Sequence, residues 1–200
     1  MWIARVADKA EAEIALCGSW NRWMADVWKR GQNRLRWSCV VPAMTLSEAV
    51  QQMRFAKDNG AVAVNLRPFE DDKHLVDPYF YPIYEEATRL GMAVAVHIAN
   101  GSPQLLEQFK PRYDKMGGFA QFRIPTVITC LSLMMSEVPK QFPQLRWAFV
   151  EASAQWVPWI ARETAIRYRA QGRTFPQNVF DEYKIYVTCQ TNDDVPYIVG

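Results

Sequence analysis

The sequence predicts an α/β fold: a parallel sheet covered by helices, either doubly wound or a piece of a (β/α)8 barrel. Three observations carry this. Short β-branched runs alternate with amphipathic segments along the chain. The runs are apolar throughout, as in strands buried on both faces. No G-x-G-x-x-G fingerprint follows any run and no Walker motif occurs, which removes the easiest nucleotide-binding readings and favours the barrel.

The elements follow in order. Residues 35–42, LRWSCVVP, form a β-branched run closed by Pro42. A helix is predicted over 45–60. Thr45 and Glu48 have the spacing of a capping box, Leu46, Ala49, Val50, Met53 and Ala56 fall at helical spacing, and Gly60 ends it. AVAVNLRP (61–68) reads as a buried strand. DPYFYPIYEEATRLG (77–91) opens on Asp-Pro and closes on Gly91, a second helix, before the strand MAVAVHI (92–98). A less regular stretch runs over about 99–125. A helix over 126–143 stops near Pro139 and Pro143. LRWAFVEA (145–152) is a strand, 155–172 a helix, and EYKIYVTCQ (182–190) the last strand.

Composition narrows the function classes. The 200 residues suit one domain or a piece of a larger one, and half are apolar, enough for a sizeable core. With 23 basic and 21 acidic side chains the net charge is +2, which gives no reason to expect a nucleic-acid or membrane-surface partner. No apolar run approaches the roughly 18 residues of a membrane span. The segment MWIARVADKAEAE is charged throughout, without the basic-then-apolar order of a secretory signal. Cys17, Cys39, Cys130 and Cys189 form no C-x-x-C pair, so buried free thiols and a cytoplasmic location are expected. The eight tryptophans line an aromatic pocket or simply fill a large aromatic core.

In a barrel, chemistry sits at the C-terminal ends of the strands. Here those ends are polar while the strand interiors are not. They carry Asn65 and Arg67; His97 and Asn100; Glu151, Ser153 and Trp156; and Thr188, Gln190, Asn192 and Asp193. His97 has the chemistry of a metal ligand or a general base; the competing reading is a core histidine bonded to a carbonyl. Glu151 is a ligand, a proton shuttle or the partner of an arginine, and a buried carboxylate at a strand end needs such a partner. Arg67 suits a substrate carboxylate, or a structural salt bridge to Glu70 or Asp71. His74, in the polar loop EDDKHLVD, is expected to be solvated. Trp156 and Trp159, three apart on one helix, are expected in the core.

Two stretches carry a resemblance: DPYFYPIYEEATRLGMAVAVHIANGSP and FPQLRWAFVEASAQWVPWIARE. They resemble the amidohydrolase-related (amidohydrolase 2) family, in the branch of aminocarboxymuconate-semialdehyde decarboxylase and related non-oxidative aromatic-acid decarboxylases. RLRWSCVVPAMTLSEAVQQMRFAKDNGAVAVNLRP extends the likeness, and KIYVTCQTNDDVPYIVG does so loosely. The resemblance implies a distorted (β/α)8 barrel of the metal-dependent hydrolase type holding a divalent metal, commonly zinc. Its metal ligands come from an H-x-H or E-x-H pair on the first strand, a histidine on the fifth and an aspartate on the eighth. A histidine on the sixth strand often assists catalysis. His97 falls at the fifth-strand histidine and is the implied metal ligand. Glu151 takes the sixth-strand catalytic position, as in a subgroup carrying EAG or EAS in place of HGG.

The first-strand pair and the eighth-strand aspartate are absent from the quoted sequence. The expectation is therefore an amidohydrolase-related domain over 1–200, incomplete at both ends, holding roughly barrel strands three to seven with their helices. Such a piece has two open sheet edges and is expected to associate or to be poorly soluble. The implied function is a metal-dependent hydrolase or non-oxidative carboxy-lyase for a small carboxylated, cyclic or aromatic molecule. Arg67, Asn100 and Trp156 are the candidate substrate contacts, with Phe122 as a further pocket wall, and a homodimer is a possible assembly. The alternative is a catalytically inactive barrel fragment with a binding or scaffold role. A serine hydrolase is excluded in its usual form, since no G-x-S-x-G elbow occurs.

Overall fold

The computed structural model describes residues 9–32, 34–99, 101–109 and 118–199. The chain divides into two compact units, Met1–Leu66 with Pro78–Ala95, and Arg67–Asp77 with Val96–Gly200. The fold is α/β, a five-stranded sheet in the order β1-β2-β5-β6-β7, and a partial (β/α)8 barrel.

The first unit contains α1 (Ala10–Arg30), β1 (Trp37–Val40), α2 (Leu46–Asp58), β2 (Ala61–Leu66), α3 (Tyr81–Leu90) and the first residues of β5 (Ala93–His97). β1 and β2 run parallel, and their core faces bury Cys39, Ala61, Val64 and Leu66 against Met53, Ala49 and Ala56 of α2. β1 is a terminal strand, and Asn21 of α1 satisfies its outer backbone. The Asn21 Nδ2 donates to Val40 O at 2.7 Å and the Val40 N–H donates to Asn21 Oδ1 at 3.1 Å. One carboxamide thereby reproduces the two bonds of a neighbouring strand, which blunts that edge.

Two expectations fail here in detail. The capping box at Thr45 does not form: no side-chain hydrogen bond caps α2, and Glu48 accepts from Gln51 instead. The segment starting at Asp77-Pro78 opens as a 3-10 turn (Pro78–Phe80) before α3 begins. Gly91 then ends α3 with φ +63°, as a left-handed cap.

The second unit contains a two-residue hairpin, β3 (Phe69–Glu70) with β4 (Lys73–His74), and the end of β5. After it come α4 (Pro103–Gln108), a π-turn (Phe119–Arg123), α5 (Ile124–Met135), α6 (Val138–Gln141), β6 (Trp147–Val150), α7 (Val157–Ala170), α8 (Val179–Glu182), β7 (Ile185–Val187) and α9 (Val195–Val199). β6 and β7 are parallel. The helix expected over 126–143 is two helices. Ser136 turns to ψ 174°, its hydroxyl donates to Leu133 O, and Pro139 helps start the next turn. Tyr168 of α7 ties α7 to α5 through its hydroxyl, which donates to Met134 O at 2.7 Å.

Trp159 is 56% exposed, against the expectation of a core position, because it points off the outer face of α7. Cys17, Cys39 and Cys130 are buried free thiols as expected, whereas Cys189 is exposed beyond the end of β7.

Candidate active site

β5 and β6 each deliver one polar side chain at the C-terminal end. His97 is the last residue of β5, and Glu151 follows β6 directly. His97 Nε2 stands 3.1 Å from Glu151 Oε2, and its Nδ1 stands 3.1 Å from Ile98 O. A neutral imidazole carries one N–H and cannot donate to two oxygens. With Nε2–H on Glu151 the Nδ1 lone pair faces Ile98 O, and with Nδ1–H on Ile98 the Nε2 lone pair faces the carboxylate. The pair is open to solvent, with side-chain exposures of 30% and 59%. It can therefore meet a substrate.

The loop behind Glu151 is tightly tied. The Glu151 N–H donates to Thr188 Oγ1 at 3.0 Å, and Gln190 Nε2 donates to Glu151 O at 2.8 Å. Gln190 Oε1 accepts from Arg123 Nη2 at 2.9 Å. Asp193 accepts from the Ser153 hydroxyl, the Ala154 N–H and the Gln190 N–H. Burial pushes the Asp193 carboxyl up, but the Gln190 N–H, the Ser153 hydroxyl, the Ala154 N–H and the charge of Arg123 outweigh it and hold it below its ordinary value. Trp156 packs edge-on against Phe149 and donates Nε1–H to Ala152 O at 3.1 Å.

Arg67 closes on Glu70 through a two-pronged ion pair, its Nε 2.9 Å from Glu70 Oε1 and its Nη2 on Oε2. This is the structural bridge that the sequence offered as one of two readings. Asn100 lies outside the described residues. His74 departs from expectation. It is largely buried, packed on Phe69 with ring centroids 4.5 Å apart, and its Nε2 meets Thr129 Oγ1 at 3.0 Å. The Thr129 hydroxyl donates to Pro125 O, so its oxygen is free to accept and the proton belongs on His74 Nε2. Burial lowers the His74 pKa to about 4, so the ring is neutral. Arg123 escaped the sequence reading, because its stretch has no strand or helix period to place it.

Imidazole nitrogen and carboxylate oxygen are donor types that zinc and manganese accept. Two donors fall short of a full site, and among the described residues no group of three or more His, Cys, Asp or Glu could hold a metal.

The amidohydrolase family model matches residues 1–176. The chain belongs to the amidohydrolase family. No curated protein matches this amidohydrolase chain. Solved structures share its fold. An amidohydrolase from Mycobacterium avium subsp. paratuberculosis K-10 is 20% identical with a TM-score of 0.76, and the match covers 94% of this chain and 51% of that one. The 5-carboxyvanillate decarboxylase from Sphingomonas paucimobilis is 15% identical with a TM-score of 0.75, covering 96% and 59%. The 5-carboxyvanillate decarboxylase from Novosphingobium aromaticivorans, solved as a D314N mutant with bound manganese and 3-methoxy-4-hydroxy-5-nitrobenzoic acid, is 14% identical with a TM-score of 0.72, covering 92% and 55%. The chain thus spans between half and three-fifths of each of these structures.

Proposed function

We propose that this amidohydrolase acts as a hydrolase or non-oxidative decarboxylase on a small carboxylated, cyclic or aromatic molecule, with His97 and Glu151 as its reactive pair. The observation that carries the reading is the 3.1 Å contact between them. It puts an acid–base group and a carboxylate at neighbouring strand ends, where barrels do chemistry. The decarboxylase neighbours support the substrate class. In this reading Glu151 orients the imidazole and balances its charge. The Glu151 carboxylate then takes a proton from a nucleophilic water in hydrolysis or, once protonated, passes one to the ring carbon that CO2 leaves in decarboxylation.

His97, with Glu151 beside it, would contribute to a divalent metal site, zinc in this reading. When bound, such an ion polarises substrate oxygens or activates a water. Arg67, Asn100 and Trp156 are proposed as substrate contacts; a substrate carboxylate on Arg67 would take the place that Glu70 holds. The partner is a small molecule, a homodimer is the proposed assembly, and the proposed location is the cytoplasm. No described helix is long and apolar enough to cross a membrane.

The test assays the protein with ortho-hydroxylated aromatic acids for CO2 release and with their esters and amides for hydrolysis, beside His97→Asn and Glu151→Gln. Loss of at least a hundredfold in turnover and a fall in bound metal in H97N are expected. Unchanged turnover and metal content in H97N would refute the reading.

A further inference from the structure

Glu151 and Ser153 both occupy the left-handed region, with φ of 67° and 64°, although neither is glycine. Such backbone persists only where its surroundings hold it. The holder is the segment after β7. Both backbone polar groups of Glu151 are engaged there, the N–H by Thr188 Oγ1 and the carbonyl by Gln190 Nε2. Asp193 secures both sides of that contact. One of its oxygens accepts from the Ser153 hydroxyl, and the other accepts the N–H groups of Ala154 and Gln190, each at 2.8 Å. Arg123 steadies the Gln190 carboxamide from the far side and fixes which end faces Glu151.

We infer that Asp193 is a positioning residue that, through Gln190 and Ser153, fixes the strained backbone of Glu151 so that its carboxylate meets His97 Nε2. The inference rests on the reading of His97 and Glu151 as the reactive pair. An unclamped loop would relax Glu151 toward the extended region and swing its side chain away, since the direction of Cβ follows φ. Asp193 touches neither the imidazole nor a substrate in this arrangement, so it acts on the chemistry only through the loop.

The chain has two histidines, so the imidazole nitrogens of each can be followed separately. The experiment records their 15N shifts on the full chain, metal-stripped with EDTA, at one fixed pH. Glu151→Gln supplies the reference displacement of His97. Asp193→Asn keeps the shape but turns an amide N–H toward backbone N–H groups. It is expected to move His97 at least half as far as E151Q does and to leave His74 in place. Gln190→Ala, which spares the carboxylate, is expected to act in the same direction and serves if D193N fails to fold. His97 unmoved in D193N and Q190A while E151Q shifts it would overturn the positioning role and leave the pair intact. Movement of both histidines together would also overturn it, as the mark of general loosening. An unmoved His97 in E151Q would overturn the pair itself, and the positioning role with it.

Discussion

Gly60 follows α2 with φ +86°, and the indole of Trp28 occupies the space where its Cβ would be. A Cβ built there would sit 2.6 Å from Trp28 Cδ2 and closer still to Nε1 and Cε2. Gly60→Ala therefore has two costs. The left-handed backbone costs an L residue about 1–2 kcal/mol. Displacing a packed ring adds about 1–3 kcal/mol, for a total of about 2–5 kcal/mol. Gly91 supplies the control, because its φ is +63° and a Cβ there meets nothing within 4 Å. Gly91→Ala should cost only the backbone strain, about 1 kcal/mol. Urea unfolding followed by far-ultraviolet circular dichroism measures both. Repeating Gly60→Ala in a Trp28→Ala background should reduce its cost to that of G91A, since the ring is gone. Equal costs for G60A and G91A in the native background, or an undiminished cost without Trp28, would refute the steric argument.

Three further outcomes are expected. Glu86 is nearly buried between Arg89 and Arg54 at 2.5–2.9 Å, and hydrogen bonding to Arg89, against burial and helped by Arg54, holds its carboxyl at about 2. Its contribution is complete above the unfolded value near 4.5 and disappears as pH falls toward 2, so Glu86→Gln should lower the unfolding free energy from urea titration at pH 7, by on the order of 1 kcal/mol given the exposed arginines, and flatten its fall below pH 4.5. His74, held near 4 against an unfolded 6.5, should make stability decline as pH drops from 6.5 to 4, where the unfolded chain takes up the proton first; His74→Gln should remove that decline, and an identical pH profile would contradict its burial as a neutral ring. Tyr186, 60% exposed on the terminal strand β7, should favour edge-to-edge association, and Tyr186→Lys should shift the chain to smaller species in sedimentation.

The strands and the main helices were legible because burial writes itself as unbroken apolar runs and a 3.6-residue period. The runs at 61–66, 93–97 and 147–150 read one or two residues too long, because flanking residues such as Met92, Ile98 and Leu145 continue the apolar pattern after the strand pairing stops. His97 and Glu151 stood out because polar groups ended apolar strands, and the fold brings them together. The hairpin at 69–74 was invisible, because two-residue strands have no period. His74 was misread for the same reason: charged neighbours in sequence said solvent, whereas Phe69 and Thr129, the latter 55 positions away, make its actual surroundings. The role of Arg123 depends on Gln190, 67 positions on, and no local pattern encodes that pairing.

The uneven burial of the thiols has a practical use. Cys17, Cys39 and Cys130 are buried, and burial pushes the Cys39 thiol up to about 12 and that of Cys130 higher still, so neither forms the thiolate that reacts with alkylating reagents. Cys189 alone faces water, directly before Gln190. A maleimide spin label would thus attach at one place without any engineered cysteine, on the segment that grips the Glu151 loop. Its mobility would read the tightness of that grip in real time.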